Sequence, residues 1–475
     1  MSVVAMIYKT EQLVLAKGHY FRQSFVERSI CKLVKNLELQ PISNNIPQRD
    51  EESIRDFQGK IYLKAKQEEE FKFYILYDKI MSKKFLLEAY FRVKKNDGSP
   101  GIDGVSFEDI ENEGLGDFIN SLHKELKTKS YKSSPVKRVY IEKENRKKRP
   151  LGIPTIRDRV VQMSCKIVIE PIFEADFADV SYGFRPKRSA ADAIKEIKEN
   201  LKAGNTEVYD ADLSSYFDTI PHDKLMILVA QRVSDKHTLS LIKGWLKTPV
   251  QEDGKITGGK KSKQGTPQGG VISPLLANIY LNLLDKIVDG GWKIFRKARI
   301  KIVRFADDFV LMGKKISSKI KGALLGLLER MGLRINEEKT KTVKAREKSF
   351  DFLGFTFRFD KSLFNKDKSY WNVFPSKKSL KKLRRKIGSY LKRSGHLVPM
   401  RIANELNLKL RGWMNYFSIE GVSYPNKAKR NIEWYLKCRL NRYYKRKSQR
   451  RSKLYSKGAY KVLVEKYGLI KPSAY

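Results

Sequence analysis

The sequence predicts an α+β domain followed by a strongly basic helical unit, on three observations. Between about Tyr74 and Phe355, strand-like and helical segments follow one another in irregular order, with turn signals at Gly/Pro clusters. From Lys361 to Tyr475 there are 31 Lys and Arg against five acidic residues, a net charge of +26, whereas the preceding 360 residues carry +18. Within that last stretch apolar residues recur at three-to-four spacing, the period of a helix packed on one face. The 475 residues are 41% hydrophobic and 11% aromatic, enough to bury a sizeable core. At roughly 150 residues per domain, the length accommodates about three structural units.

Taken in order, the first ~70 residues are the least legible: HYFRQSFVERSICKLVKNLELQ is compatible with a helix and PISNNIPQRD with a loop. We expect residues 1–73 to be an N-terminal extension whose role the sequence does not disclose. LKTKSYKSSPVKRVYIEKENRKKRPLGIP reads as a basic hairpin in which VKRVYIE alternates, ENRKK turns and RPLGIP returns. RDRVVQMSCKIVIEPIF and SPLLANIYLNLLDKIV read as helices, and VYDADLSSYF and KIVRFADDFVLMG as strands. These segments define an expected domain over 74–355. The basic unit, 356–475, carries the periodic runs Leu380, Leu383, Ile387, Leu391 and Ile402, Leu406, Leu410, Trp413, then WYLKCRLNRYYKRKSQRRSKLY, in which aromatics stand among bases. One such helix is readily a solvated basic face; three in succession favour nucleic-acid contact, with Lys381, Lys382, Arg384, Arg385 and Lys386 as the candidate residues.

The formal charge of +44 points to a polyanionic partner, nucleic acid before membrane. Three cysteines cannot build a disulfide framework or a cysteine-rich zinc site, which fits a reducing compartment. No apolar stretch approaches the ~20 residues of a membrane span, and MSVVAMIYKTEQ lacks the order of a secretory signal. A cytoplasmic location without membrane association is expected.

The acids carry the chemistry. Asp210-Ala-Asp212 ends an apolar-flanked strand, and Phe305-Ala-Asp307-Asp308-Phe309 joins two strand-like halves. Adjacent carboxylates at the tip of a tight turn repel one another, and Asp is depleted in strands, so stability alone does not call for them. A divalent cation relieves the conflict, and Mg²⁺ usually takes one or two carboxylates together with substrate phosphates.

RPLGIPTIRDRVVQ (149–162), SYGFRPKRSA (181–190), YDADLSSYFDTIPHDKL (209–225), QGTPQGGVISPLLANIYL (264–281), FADD (305–308) and FLGF (352–355) occur in a particular order. In it the chain resembles the reverse transcriptases encoded by bacterial and organellar group II introns, also called maturases, from about residue 74 to about 450. RGWMNYF (411–417) resembles their thumb, or X, domain. The resemblance implies a right-hand polymerase fold, fingers and palm followed by an α-helical thumb, and transfer of a deoxynucleotide to a primer 3′-hydroxyl with two Mg²⁺ ions. Asp212, Asp307 and Asp308 then correspond to the catalytic metal ligands. From the alternation of strand side chains we expect Asp307 to share the metals with Asp212 and Asp308 to stand nearer the periphery. Lys143 and Arg149 match fingers residues that hold the incoming triphosphate, Gln268 and Gly269 match residues beside the nascent pair, and Gly354 resembles the primer-gripping turn, although a core turn reads nearly as well. Phe217 matches the ring that excludes a ribose 2′-hydroxyl, which favours dNTP over rNTP. No direct role is expected of Tyr182, Phe184 or Arg185.

The chain departs from the family in carrying Phe305 where a Tyr is usual, and no Cys/His cluster follows the X-like region, so a metal-binding DNA endonuclease is not expected. The implied partners are structured intron RNA or another RNA template, a DNA primer or target, and dNTPs. For a bacterial protein this adds nucleoid association; an organellar location stays open. A splicing cofactor with a vestigial polymerase is the rival reading, and an intron-free enzyme used in repair or defence a third; retention of all three acids with Phe217 favours a working polymerase.

Overall fold

The computed structural model describes residues 50–142, 148–259, 262–266, 269–362, 365, 367–445 and 452–475. The chain divides into two units, 1–47 and 48–475. The first, including the helix expected in HYFRQSFVERSICKLVKNLELQ, lies outside the described residues.

The second unit begins with a helix, Glu51–Gln67, capped by the Asp50 carboxylate on the Ser53 amide. Ile54 and Ala65 are buried, and Phe57 and Ile61 pack against the same core. The helix lies against Ile156–Asp176, so residues 51–73 belong to the main core and not to the extension expected over 1–73. Ile156–Asp176 is buried on nearly all sides and runs through the centre of the domain. Its buried Asp158 accepts hydrogen bonds from Tyr131 (2.6 Å), the Ser134 amide (2.9 Å) and Thr155 (2.8 Å).

β1 (Val136–Glu142) and β2 (Lys148–Ile153) form the expected antiparallel hairpin. β3 (Glu207–Asp212) opens the central sheet. β4 (Pro249–Glu252) and β5 (Lys255–Gly258) extend the hairpin into a sheet of order β2-β1-β4-β5. β6 (Lys301–Phe305), β7 (Asp308–Gly313) and β8 (Lys341–Lys344) complete the central sheet, β6-β7-β3-β8. Tyr209, Ala211, Ile302, Phe309 and Leu311 face one core and Val208, Val303, Val310 and Met312 another. Covered on both faces, β7 carries the continuous apolar run Phe309–Met312.

β9 (Phe350–Phe352), β10 (Phe355–Lys361) and β11 (Ser369–Pro375) form a third sheet. It crosses the boundary expected at 355/356, and the helical part starts only at Lys377. Helices Lys377–Arg393, Pro399–Phe417 and Asn426–Lys445 then bury Leu383, Ile387, Leu391, Ile402, Leu406 and Leu410, as the periodicity predicts, together with Ile432, Leu436 and Leu440 in a third core. Among the described residues no helix is long and apolar enough to cross a membrane.

Candidate active site

Strand register assembles the acids. In the antiparallel β3–β7 pair Asp212 lies directly opposite Asp308 and Asp210 opposite Val310, so Asp210, Asp212 and Asp308 share one face of the sheet. Phe305 pairs with Asp308, leaving Ala306 and Asp307 as a two-residue turn with Ala306 at φ +58°. The alternation expected for Asp307 and Asp308 therefore does not apply: Asp307 stands in the turn, and Asp308, though the more exposed of the two, faces Asp212. Asp308 is pushed up to about 7, first by desolvation and then by the charges of Asp307, Asp212 and Asp210, with Lys339 opposing. Because Asp308 keeps a solvent-facing side, crowding by its neighbours is the cause the geometry supports most directly. Desolvation also raises Asp210, against the pull of Lys341 at 3.5 Å.

Among the described residues no three His, Cys, Asp or Glu side chains stand close enough to form a ready-made metal cage. The donor set nevertheless suits a hard cation, since the acids crowd one another and Asp212 takes a cationic partner, the Lys339 ammonium at 2.6 Å. Lys339 is held nearby because the Asn336 amide donates to the Asp212 carbonyl at 2.7 Å.

Beneath the turn, on the sheet's other face, lies a group of residues that sequence reasoning missed. The Arg304 guanidinium, 0% exposed, donates to both oxygens of the equally buried Asp285 at 2.5–3.0 Å, to Asn278 Oδ1 at 3.0 Å and to the Ala306 carbonyl at 2.9 Å. Asn278 and Asp285 come from the buried helix Ser273–Lys286. Gly183 lies against the same turn, where a Cβ would stand 2.3 Å from the Ala306 nitrogen, so only glycine allows the approach. The available signal was an Arg inside an apolar strand and an Asp inside an apolar helix, a complementary pair of charges at buried positions. Arg185 binds Glu174 and the Ala178 and Ser181 carbonyls.

The QGTPQGG segment joins the turn after β3 to the basic hairpin. The Thr266 amide donates to the Phe217 carbonyl at 2.7 Å, the Gly265 amide to Ile220 at 2.8 Å, and His222 Nε2 lies 2.6 Å from the Gly265 carbonyl. Phe217 is half-buried, edge-on to Tyr216. At Gly269, φ is +115° and a Cβ would come within 2.2 Å of the Gly152 carbonyl in β2. Arg149 pairs with Ile141 across the hairpin; Lys143 and Gln268 lie outside the described residues.

Gly354 accepts from the Ser376 amide (2.8 Å) and Ser379 Oγ (2.9 Å) at the foot of the helix Lys377–Arg393. A groove of about 670 Å³ runs from it past Lys382, Lys386, Lys409, Trp413 and Tyr416. Lys381, Lys382, Arg385 and Lys386 are exposed. Arg384 donates to Asn431 and stacks 5.4 Å over Tyr435, because its position turns it toward the neighbouring helix.

An acidic strand–turn–strand beside a basic hairpin and a glycine loop is the arrangement of a nucleotidyl-transferring polymerase, and the comparisons with known proteins identify its class as reverse transcriptase. The reverse transcriptase (RNA-dependent DNA polymerase) family model matches residues 141–357, and the group II intron maturase-specific domain matches 380–458. The chain belongs to the group II intron-like reverse transcriptases and maturases. It is 37% identical over 294 residues to Protein YkfC of Escherichia coli (strain K12), across 54% of this chain and 75% of that protein. It is 43% identical over 171 residues to the group II intron-encoded protein LtrA of Lactococcus lactis subsp. cremoris, across 36% of this chain and 28% of LtrA. A 91 kDa protein in a cob intron of Schizosaccharomyces pombe is 35% identical over 212 residues, across 45% of this chain and 26% of that protein. The matches thus span about a quarter of the length of the latter two. The reverse transcriptase domain carries with it a right-hand polymerase fold.

Proposed function

We propose that the protein extends a primer 3′-hydroxyl with dNTPs on an RNA template, and that it binds group II intron RNA and assists its splicing and mobility. The registered pair Asp212–Asp308 with Asp307 at the adjoining turn carries this reading. Two Mg²⁺ ions held by Asp212, Asp307 and Asp308 would activate the attacking hydroxyl and stabilise the departing pyrophosphate. The chain's own groups position the reactants. Phe217 offers the sugar an apolar wall without a hydrogen-bond partner, so a 2′-hydroxyl there would be left unpaired. Its backbone is fixed by Thr266, which supports a rigid pocket. Arg149, on the returning strand of the hairpin, and Lys143 would bind the triphosphate, for which the planar guanidinium is suited. In this reading residues 51–375 form fingers and palm, and the helices from Lys377 onward the thumb and maturase domain. The groove at Gly354, Lys382 and Lys386 supports a primer path along its foot.

The test is primer extension on an RNA template with dNTPs and then rNTPs, in Mg²⁺ and in EDTA, alongside RNA affinity. Asp307→Asn is expected to abolish synthesis and leave RNA binding nearly intact. Synthesis by that variant, or in EDTA, would refute the assignment.

A further inference from the structure

We propose that Trp434 is a stacking platform for an unpaired RNA base, set within a cationic stripe on the helix Asn426–Lys445. The inference rests on the RNA-binding reading above and names the RNA feature that this surface takes.

The helix buries Ile432, Leu436, Leu440 and Tyr444 against the C-terminal core. Its opposite face is open to solvent. Trp434 stands there 65% exposed, whereas the other four tryptophans are buried or half-buried. Indole is a large apolar surface that is highly buried on average in folded proteins, and here it stands among cations that supply a polyanion's other contacts. Arg430 precedes it by one helical turn and Lys437 follows by one, about 5.4 Å along the axis on either side; Lys427 and Arg442 continue the exposed face. Glu433, the helix's single acid, turns aside to accept the Ser473 amide at 3.1 Å. Arg384 reaches Asn431 on the neighbouring edge and adds a further cation.

This composition selects among partners. A membrane-lying helix needs a continuous apolar stripe, and Trp434 is the one large apolar side chain on this exposed face. Paired RNA hides its base faces in the helical stack, so an indole gains nothing from it. Bulges and loops expose a face, and flanking cations hold the adjoining phosphates. An aromatic centre with cationic flanks therefore fits an unstacked base in otherwise structured RNA.

The experiment measures binding of the full chain to a labelled RNA hairpin carrying a three-nucleotide bulge and to the same stem fully paired, over a range of salt. Trp434→Ala is expected to weaken the bulged RNA by about 5- to 100-fold, leave the paired stem unchanged and preserve the salt slope. Trp434→Phe should retain most of the affinity because it keeps a ring. Arg430→Gln with Lys437→Gln should weaken both RNAs and flatten the slope. Equal binding of the bulged RNA by Trp434→Ala and wild type overturns the proposal, as does an equal loss on both RNAs. Loss of binding to phosphatidylserine vesicles with RNA binding untouched would also overturn it, in favour of a membrane. If the wild type bound neither RNA, the RNA-binding reading itself would fail, and this inference with it.

Discussion

Replacing Arg304 tests whether the acidic turn is held from beneath. Arg304 and Asp285 are both 0% exposed, and the guanidinium also serves Asn278 and the Ala306 carbonyl. Arg304→Met leaves a buried carboxylate without its cation, a loss of about 3–5 kcal/mol. The carbonyl and amide oxygens left without donors add about 1 kcal/mol or more each. Arg304→Met with Asp285→Leu removes both charges, so the double variant should recover about 2–4 kcal/mol of that loss. Urea denaturation of wild type, both single variants and the double variant gives the coupling directly. Arg304→Lys separates support of the turn from stability: an ammonium still neutralises Asp285 but cannot span Asn278 and Ala306 together. Its kcat for primer extension should fall while KM for dNTP holds. A single-variant loss below about 1 kcal/mol, or full kcat in Arg304→Lys, would refute the reasoning.

Phe217→Ala should reduce discrimination against rNTPs at least about tenfold, read as the ratio of kcat/KM for dNTP and rNTP; an unchanged ratio would show that the ring does not meet the sugar. Gly269→Ala places a Cβ 2.2 Å from the Gly152 carbonyl at φ +115°. It should cost about 1–3 kcal/mol and raise KM for dNTP, and wild-type kinetics would mean that the loop does not support the nucleotide site. Asp308 is raised in the folded state to about 7, above the ordinary ~3.9 of a free Asp. The folded metal-free protein therefore binds the extra proton between those values, and this contribution to stability is full below about pH 4 and lost as pH rises through 7. Melting temperatures in EDTA should fall across that window, and Asp308→Asn should flatten the fall; an identical pH dependence in the variant would remove Asp308 as its source.

The parts of the site legible in the sequence were those written in contiguous residues. DAD and FADD sat between apolar runs that only a doubly covered sheet explains, and β3, β6 and β7 follow those runs. The C-terminal periodicities became core positions because a helix one face deep repeats every three or four residues. Ile54, Phe57, Ile61 and Ala65 carried the same signal in the segment assigned to the extension, but a short amphipathic pattern among many charges does not announce what it packs on. The third sheet runs across the boundary expected at 355, because a change in charge density does not mark where hydrogen bonding ends: β10 pairs with β9 across it. Arg384 was grouped with its neighbours by composition, whereas helical geometry turns it toward Tyr435.

Arg304 and Asp285 were illegible for a different reason, and that reason bears on how such a site is built. Asp212 and Asp308 occupy one face of the sheet, and Arg304 projects from the other, one residue before the Phe305–Asp308 pair that closes the turn. The acids repel one another, so the turn that presents them is where the chain has most to gain by relaxing. A surface cation could offset the repulsion but would compete for the same carboxylates, as Lys339 does for Asp212. A guanidinium below the sheet grips the Ala306 carbonyl instead, fixing the backbone while leaving the carboxylates free. Its charge must then be matched by a buried acid on the facing helix, and Asp285 is that acid. The pairing is dictated by tertiary packing, so no local pattern around FADD could have announced it.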